Sequence, residues 1–411
     1  MTESASHRTV VVVGAGAAGL MAAIFAARAG ADVTVVETTK RGGKKIIVSG
    51  GGRCNVLPSE VDERWFVTDS SPRIMGRLLN SWPLAEQRRF FEEDLRLPLA
   101  LEPETGKLFP ASNRAVDVRE ALVTAAEKAG ATFLFNTRVK RLAQDSTGWR
   151  VQIEGGAPFA ADAVILATGG LSVPNTGSDG FGLREAARLG HTIHATYPAL
   201  TPLTAEPAVH AALSGVSLTV RVRARQGKQR ISTHDGFLFT HRGYSGPAVL
   251  DVSHLATLAR EAGKPQDLLV QWTDLDAEAW DSVLRTPGPG LVATEVRSRL
   301  PTRLADALLA EASISPERTR SELRRDERLR LIEILTAYPL PWTGDEGYKK
   351  AEVTGGGVAL SEVDPNTLES RIAPGLVLCG ELLDAFGPIG GYNFFWAWAT
   401  GRLAGMGAAK E

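Results

Sequence analysis

Cysteine is nearly absent: Cys54 and Cys379 are two in 411 residues, and they share no Cys-x-x-Cys spacing. That excludes a disulfide framework and makes a reduced, cytoplasmic setting the expectation. An excess of one charge is lacking too. With 46 Lys and Arg against 47 Asp and Glu, the net charge is −1. No basic field points to nucleic acid or an anionic membrane, so neither is expected as a partner. His191 and His194 are three apart and would pair on a helix, but no third ligand stands near them, so no metal is expected. Internal repeats and low-complexity segments are missing as well. One uncharged run, Val10 to Ala27, approaches spanning length. It opens on four valines, is broken by three glycines and is followed by Arg28, which reads as strand, turn and helix.

Glycine, by contrast, is abundant at 42 residues and falls in clusters, which suggests backbone packed closely against something. Val10 to Val13 predict a strand buried on both faces. Gly14, Gly16 and Gly19 then stand in the G-x-G-x-x-G spacing, and a helix is predicted from Ala17 to Ala29, ended by Gly30. A second strand follows and ends in Glu37. In this pattern Gly14 permits the tight turn, Gly16 lets a pyrophosphate approach the backbone and Gly19 lets helix and strand pack closely. The helix N-terminus holds the anion, and the acid accepts from ribose hydroxyls. Glu37 disfavours a 2′-phosphorylated ribose, so FAD or NAD is favoured over NADP. Lys40, Arg41, Lys44 and Lys45 face phosphates or solvent; the sequence leaves both readings open.

Further along, helical pattern covers roughly 72 to 101 before turning, and an amphipathic helix closes at Gly130. Two strands are predicted around a turn at Ser146–Gly148. "ADAVILATGG" is another buried strand, ending in the small residues Ala167, Thr168 and Gly169. A helix from Phe181 to Leu189 has Asp179 near its cap. Composition changes near Pro198. "RVRARQGKQRISTHDGFLFTHRGYSGPAVLDVS" alternates like antiparallel or barrel strands, and about 290 to 338 is helical and charge-laced. Glycine-rich style returns at Gly355–Gly357. A short strand then ends at Gly380-Glu381, where the acid is placed to accept from a polyol. Gly390-Gly391 lead into a last helix, whose N-terminal dipole suits a flavin carbonyl. Trp396 and Trp398 are assigned to the core.

Taken together, "VVVGAGAAGL…E", "GGKKIIVSGGGRCNV", "ATGG", "TGSDGFG", "FTHRGYSGPAVLDVS", "EVTGGGV" and "LCGELLDAFGPIGGYNFFWAWATGRLAG" resemble a family of bacterial FAD flavoproteins. These are known as NAD(P)/FAD-dependent oxidoreductases or aminoacetone-oxidase-like enzymes, with bile-acid dehydro-steroid reductases among their relatives. The resemblance covers nearly the whole chain. It implies an α/β fold: a glutathione-reductase-like FAD-binding Rossmann domain split by an inserted barrel-like β plus helical domain. The expected boundaries are 1–195 and 346–411 for the FAD domain and 196–345 for the insert. The resemblance also implies that the Ser-Gly-Gly-Gly-Arg-Cys-Asn loop lies along the flavin side of FAD. Candidate cofactor contacts are Gly14, Ala15, Gly16, Ala17, Ala18, Gly19 and Glu37 in the first turn and strand, and Lys40, Gly43 and Lys44 after it. Gly51, Gly52, Arg53, Cys54 and Asn55 follow in the glycine loop, then Val139, Ala167, Thr168 and Gly169. Gly380, Glu381, Gly391, Tyr392, Asn393 and Phe394 complete the set. The chain departs from the family pattern at Leu57-Pro58 and at Phe394-Phe395.

The function this implies is an FAD-dependent oxidoreductase that moves a hydride between flavin N5 and a small molecule. NAD(P)H as a transient reductant and O2 as an oxidant both stay open, since no second G-x-G-x-x-G marks a nicotinamide domain. His241 is the candidate catalytic proton donor, set against a structural histidine in a turn. The alternatives are an FAD-containing RNA-modifying protein and a flavin-binding scaffold without turnover.

Overall fold

Four consecutive valines cannot alternate in polarity, so their strand must be covered on both sides. In the computed structural model, which describes residues 7–226, 229–264, 267–286 and 288–410, all four are at most 4% exposed. Their strand, Thr9–Val13, is the middle of five. The order is Leu376–Leu378, Ala163–Leu166, Thr9–Val13, Asp32–Val36, Thr132–Leu134, and every pair is parallel. The register places Val10 beside Ala163 on one side and Val33 on the other. The sheet is thus assembled from both ends of the sequence. The fold is α/β, with a parallel Rossmann sheet and additional antiparallel parts.

Helix Ala17–Arg28 follows the first strand and is almost wholly buried. It packs along the last helix, Tyr392–Ala408, through small residues. A Cβ on Gly401 would stand 2.4 Å from the carbonyl oxygen of Ala18, and one on Gly405 2.3 Å from that of Ala22. The two glycines are one turn apart and bring the helix backbones together. The N-terminal ends of both helices are thereby fixed within one rigid pair. Outside the main sheet lie a two-stranded sheet of Ile193–Ala199 with Val353–Val358 and two three-stranded antiparallel sheets. One is Val139–Asp145, Gly148–Ile153 and Phe159–Ala161; the other pairs Lys107–Pro110 with Leu57–Pro58 and Leu99–Glu102.

By its contacts the chain divides into two units, Met1–Tyr197 with Glu352–Glu411, and Pro198–Ala351. The second is built on a seven-stranded antiparallel sheet. Its order is Tyr338–Pro339, Leu269–Gln271, Ser217–Gln226, Gln229–Phe239, Gly243–Ser245, Leu203–Thr204, Gly344–Asp345. The two outer strands are separated by residues 340–343 alone. Five residue steps span at most about 18 Å, whereas seven flat strands would extend over roughly 29 Å. The sheet therefore curls toward a barrel. Val220, Val222 and Ala224 face its core, while Thr219, Arg221 and Arg223 alternate with them and are exposed. Helices Ala277–Arg285, Val292–Arg297, Thr302–Glu311 and Arg325–Thr336 complete this unit.

Two expectations are corrected. "GPAVLDVS" does not continue the strands: Pro247–Glu261 is a helix. Proline at its first position needs no N–H partner, and Val249, Val252 and Ala256 recur at helical spacing and are buried. His191 and His194 do not share a helix, because helix Phe181–Arg188 ends before them and strand Ile193–Ala199 has begun by His194. Among the described residues no helix is long and apolar enough to cross a membrane.

Candidate functional site

The glycine turn between Thr9–Val13 and Ala17–Arg28 sorts its glycines by physical need. Gly14 has φ +104°, and a Cβ there would lie 2.7 Å from the carbonyl oxygen of Ala167. On Gly19 it would lie 1.9 Å from the carbonyl oxygen of Gly14. These two are glycine because protein packs against them. Gly16 has φ −81°, and nothing stands within 4 Å of its would-be Cβ. The space in front of Gly16 is open, where the motif requires a pyrophosphate to approach. Ala17 and Ala18 begin the helix, whose first turn carries no acidic residue and no side-chain cap. Its N–H groups are left for an anion.

Glu37 is buried at the end of the second strand. Its carboxylate accepts from the N–H of Ala15 at 2.8 Å and of Thr39 at 2.6 Å. One lone pair on each oxygen remains for hydroxyls. The N–H of Thr137 donates to the Glu37 carbonyl at 2.9 Å, which brings the chain entering Val139 alongside; Val139 itself is buried. Gly43 donates to the carbonyl of Ala15 at 2.8 Å and so braces the first turn, while Lys40 and Lys44 are exposed.

In the glycine loop the backbone is left-handed at Gly50, Gly51, Gly52 and Cys54, with φ of 55°, 67°, 86° and 61°. A Cβ on Gly51 or Gly52 would meet nothing within 4 Å. Glycine is therefore demanded at Gly51 by conformation, with open space before it. Arg53 is held beside the loop by contacts within the protein. Its guanidinium pairs with Glu102 at 3.0 Å and lies 4.0 Å over the ring of Phe109. Burial pushes the Cys54 thiol up to about 12 against a smaller lowering by Ser49. Cys379 is buried and raised for the same reason. Both thiols stay protonated. Asn55 is buried, and its Oδ1 has no hydrogen-bond partner. It lies 2.9 Å from where a Cβ on Gly391 would be, so both residues border one small space at the start of the last helix.

The remaining candidates lie around these loops. Ala167 continues strand Ala163–Leu166 with an N–H bond to Val13, and Thr168 and Gly169 follow, Gly169 with φ +71°. Gly380 donates to Thr400 Oγ1 at 3.1 Å and accepts from Trp396 Nε1 at 3.0 Å. Trp396 and Trp398 are core residues as expected, and each also holds a site loop, since Trp398 Nε1 donates to the Val56 carbonyl. The Asn393 side chain bonds both backbone groups of Gly387 at the start of the last helix. Tyr392 makes edge contacts with Trp65 and Phe66 at 5.7 and 6.1 Å, and Phe394 stacks on Trp398 at 5.3 Å.

Glu381, expected to accept from a polyol, also anchors a network within the protein. Its Oε2 takes Lys45 Nζ at 2.6 Å, and its Oε1 takes Ser172 Oγ, the Thr354 N–H and Thr354 Oγ1. Sequence reasoning missed this role for Lys45, Ser172 and Thr354. No local signal marks them, because the contacts join segments 127 to 336 residues from Lys45. His241 is exposed in the turn between Gln229–Phe239 and Gly243–Ser245, in the second unit. Among the described residues no group of three or more His, Cys, Asp or Glu is placed to hold a metal.

An open approach at Gly16, an anion-ready helix start, a ribose acceptor in Glu37 and an unpartnered acceptor in Asn55 fit an FAD-type dinucleotide. The comparisons with known proteins agree. The family model described as "HI0933-like protein Rossmann domain" matches residues 8–407. The chain is 33% identical over 408 residues to a 3-dehydro-bile acid delta(4,6)-reductase of Clostridium scindens, covering 97% of this chain and 98% of that one. It is 32% identical over 395 residues to a ribosomal RNA dihydrouridine synthase of Escherichia coli, covering 95% of each. The open conformation of a flavocytochrome c3 fumarate reductase aligns with TM-score 0.51 and 17% identity, over 99% of this chain and 79% of that one, a likeness of fold.

Proposed function

This chain belongs to the HI0933-like Rossmann family and is an FAD-dependent oxidoreductase, and we propose that it reduces a carbon–carbon double bond conjugated to a carbonyl. The support is a bond change common to two relatives. A 4-ene beside a 3-oxo group is an enone, and uridine becomes dihydrouridine when the C5–C6 double bond next to its C4 carbonyl is saturated. A reduction of this kind would deliver a hydride to the electron-poor end of the conjugated double bond and a proton to its other carbon. Bound FAD supplies the two-electron chemistry. The chain's own residues bind and orient it: the turn at Gly14 to Gly19 receives the pyrophosphate, Glu37 the ribose, and the loops at 50–55 and 390–394 the ring.

The observation that carries the cofactor half is Gly16, open in front while Gly14 and Gly19 are packed behind. The protonated, unpaired state of Cys54 and Cys379 supports direct transfer over a dithiol relay. NAD(P)H is the proposed reductant, docking transiently, and His241 the proposed proton donor. Small enones are the first substrate class. The Escherichia coli relative favours a second reading, in which the reduced base is a uridine in RNA.

The test is anaerobic. Purified protein is expected to be yellow and to release FAD on heating. After photoreduction, its flavin should be reoxidised by a steroid 4-en-3-one or by a ribosomal RNA transcript, and not by the saturated ketone. Reoxidation by O2 alone, with bleaching of the oxidised flavin by amines, would replace this reading with an amine oxidase.

A further inference from the structure

The basic run after the second strand holds four cations, and the structure separates them. Lys40, Arg41 and Lys44 are exposed. Lys45 turns inward, with a side chain 26% exposed, and its ammonium sits between Glu381 Oε2 at 2.6 Å and Ser172 Oγ at 2.8 Å. Ser172 in turn donates to Glu381 Oε1 at 2.5 Å. Thr354 closes the network: its hydroxyl donates to Glu381 and accepts the N–H groups of Leu171 and Ser172. One cation thus ties together three loops proposed to surround FAD: the one after the second strand, the one after Ala163–Leu166, and the strand end at Gly380. An ammonium has three donors, and two are committed, so one N–H is left for a ligand.

Arg53, another cation near these loops, pairs with Glu102 and lies over Phe109. We propose that Lys45, oriented by Glu381, Ser172 and Thr354, is the positioning residue that sets the charge at the flavin. Glu381 acts by holding Lys45, and its Oε2, with that one bond, keeps a lone pair for a polyol hydroxyl. This rests on the reading that FAD occupies these loops. A cation there stabilises the anionic reduced ring, and its carboxylate partner opposes that effect.

The test uses FAD-loaded Lys45→Met, Lys45→Arg and Glu381→Gln, with two readouts: FAD per chain after gel filtration, and the midpoint potential against a reference dye. Lys45→Met should lower the potential, shifting the equilibrium between reduced and oxidised flavin about tenfold, or roughly 30 mV for a two-electron couple. Lys45→Arg should restore most of it, and Glu381→Gln should shift it the opposite way. A role confined to packing would not give opposite signs. Wild type without FAD would overturn the cofactor reading. FAD bound throughout with unchanged potentials, or shifts of one sign in all variants, would overturn the role of Lys45 alone. If Lys45→Met fails to fold, Glu381→Gln decides: a raised potential supports the proposal, and an unchanged or lowered one overturns it.

Discussion

Trp398 Nε1 donates to the carbonyl oxygen of Val56 at 3.0 Å, across 342 residues of sequence. The last helix thereby holds the end of the glycine loop, and the same indole stacks on Phe394. Trp398→Phe keeps an aromatic ring but leaves the Val56 carbonyl without its donor. The expected loss is about 1–3 kcal/mol of stability, read as a lower urea midpoint. FAD affinity should weaken with it, because Asn55 is the neighbour of Val56. A midpoint equal to wild type would remove the bond from this account.

The three glycines of the first turn should fail differently when substituted. A Cβ on Gly16 would meet no atom within 4 Å beyond its chain neighbours. Gly16→Val should fold with near-native stability and bind no FAD. Gly19→Val would drive a side chain into the Gly14 carbonyl, so it should be destabilised with or without cofactor. Far-UV circular dichroism, thermal melting and the visible flavin spectrum separate the two outcomes. Native FAD content in Gly16→Val would mean the open space is not where the pyrophosphate lies.

Gly51 tests whether conformation or room demands glycine in the loop. Its φ is +67° and the space beside it is open. A β-branched residue in left-handed backbone costs roughly 1–2 kcal/mol, so Gly51→Val should distort the loop and reduce FAD occupancy. Asparagine tolerates that backbone, and Gly51→Asn should retain more FAD than the valine variant. Equal loss in both would show that the flavin needs the space itself.

Acid should weaken the second unit through one histidine. Burial holds the His254 imidazole down to about 4 from its usual 6.5, against a smaller raising by the backbone at Asp251. Between those values the unfolded chain binds the proton and the folded chain does not. Stability therefore falls as pH drops from about 6.5 to about 4, by up to an order of 3 kcal/mol. His254→Gln should lose that part of the slope. Urea midpoints at pH 7.5 and 4.5 for both proteins give the measurement, and parallel slopes would refute it.

The sequence by itself determined the first strand, turn and helix and the glycine positions. It also indicated the return of the last segment to the cofactor. Each is a local pattern: four valines, a fixed glycine spacing, an acid at a strand end. Residue type alone marked Gly14, Gly16 and Gly19, since a missing side chain is legible wherever it stands. Only the tertiary structure decided which charges act together. Arg53 and Lys45 are both cations beside glycines, and nothing local separates them. Glu102 and the Phe109 ring hold one, while Glu381, Ser172 and Thr354 hold the other. The start of the helix at Pro247 and the curl of the second sheet are of the same kind. A long flexible side chain takes its partner from whatever the fold brings within a few ångströms, and that proximity is set by packing between segments hundreds of residues apart.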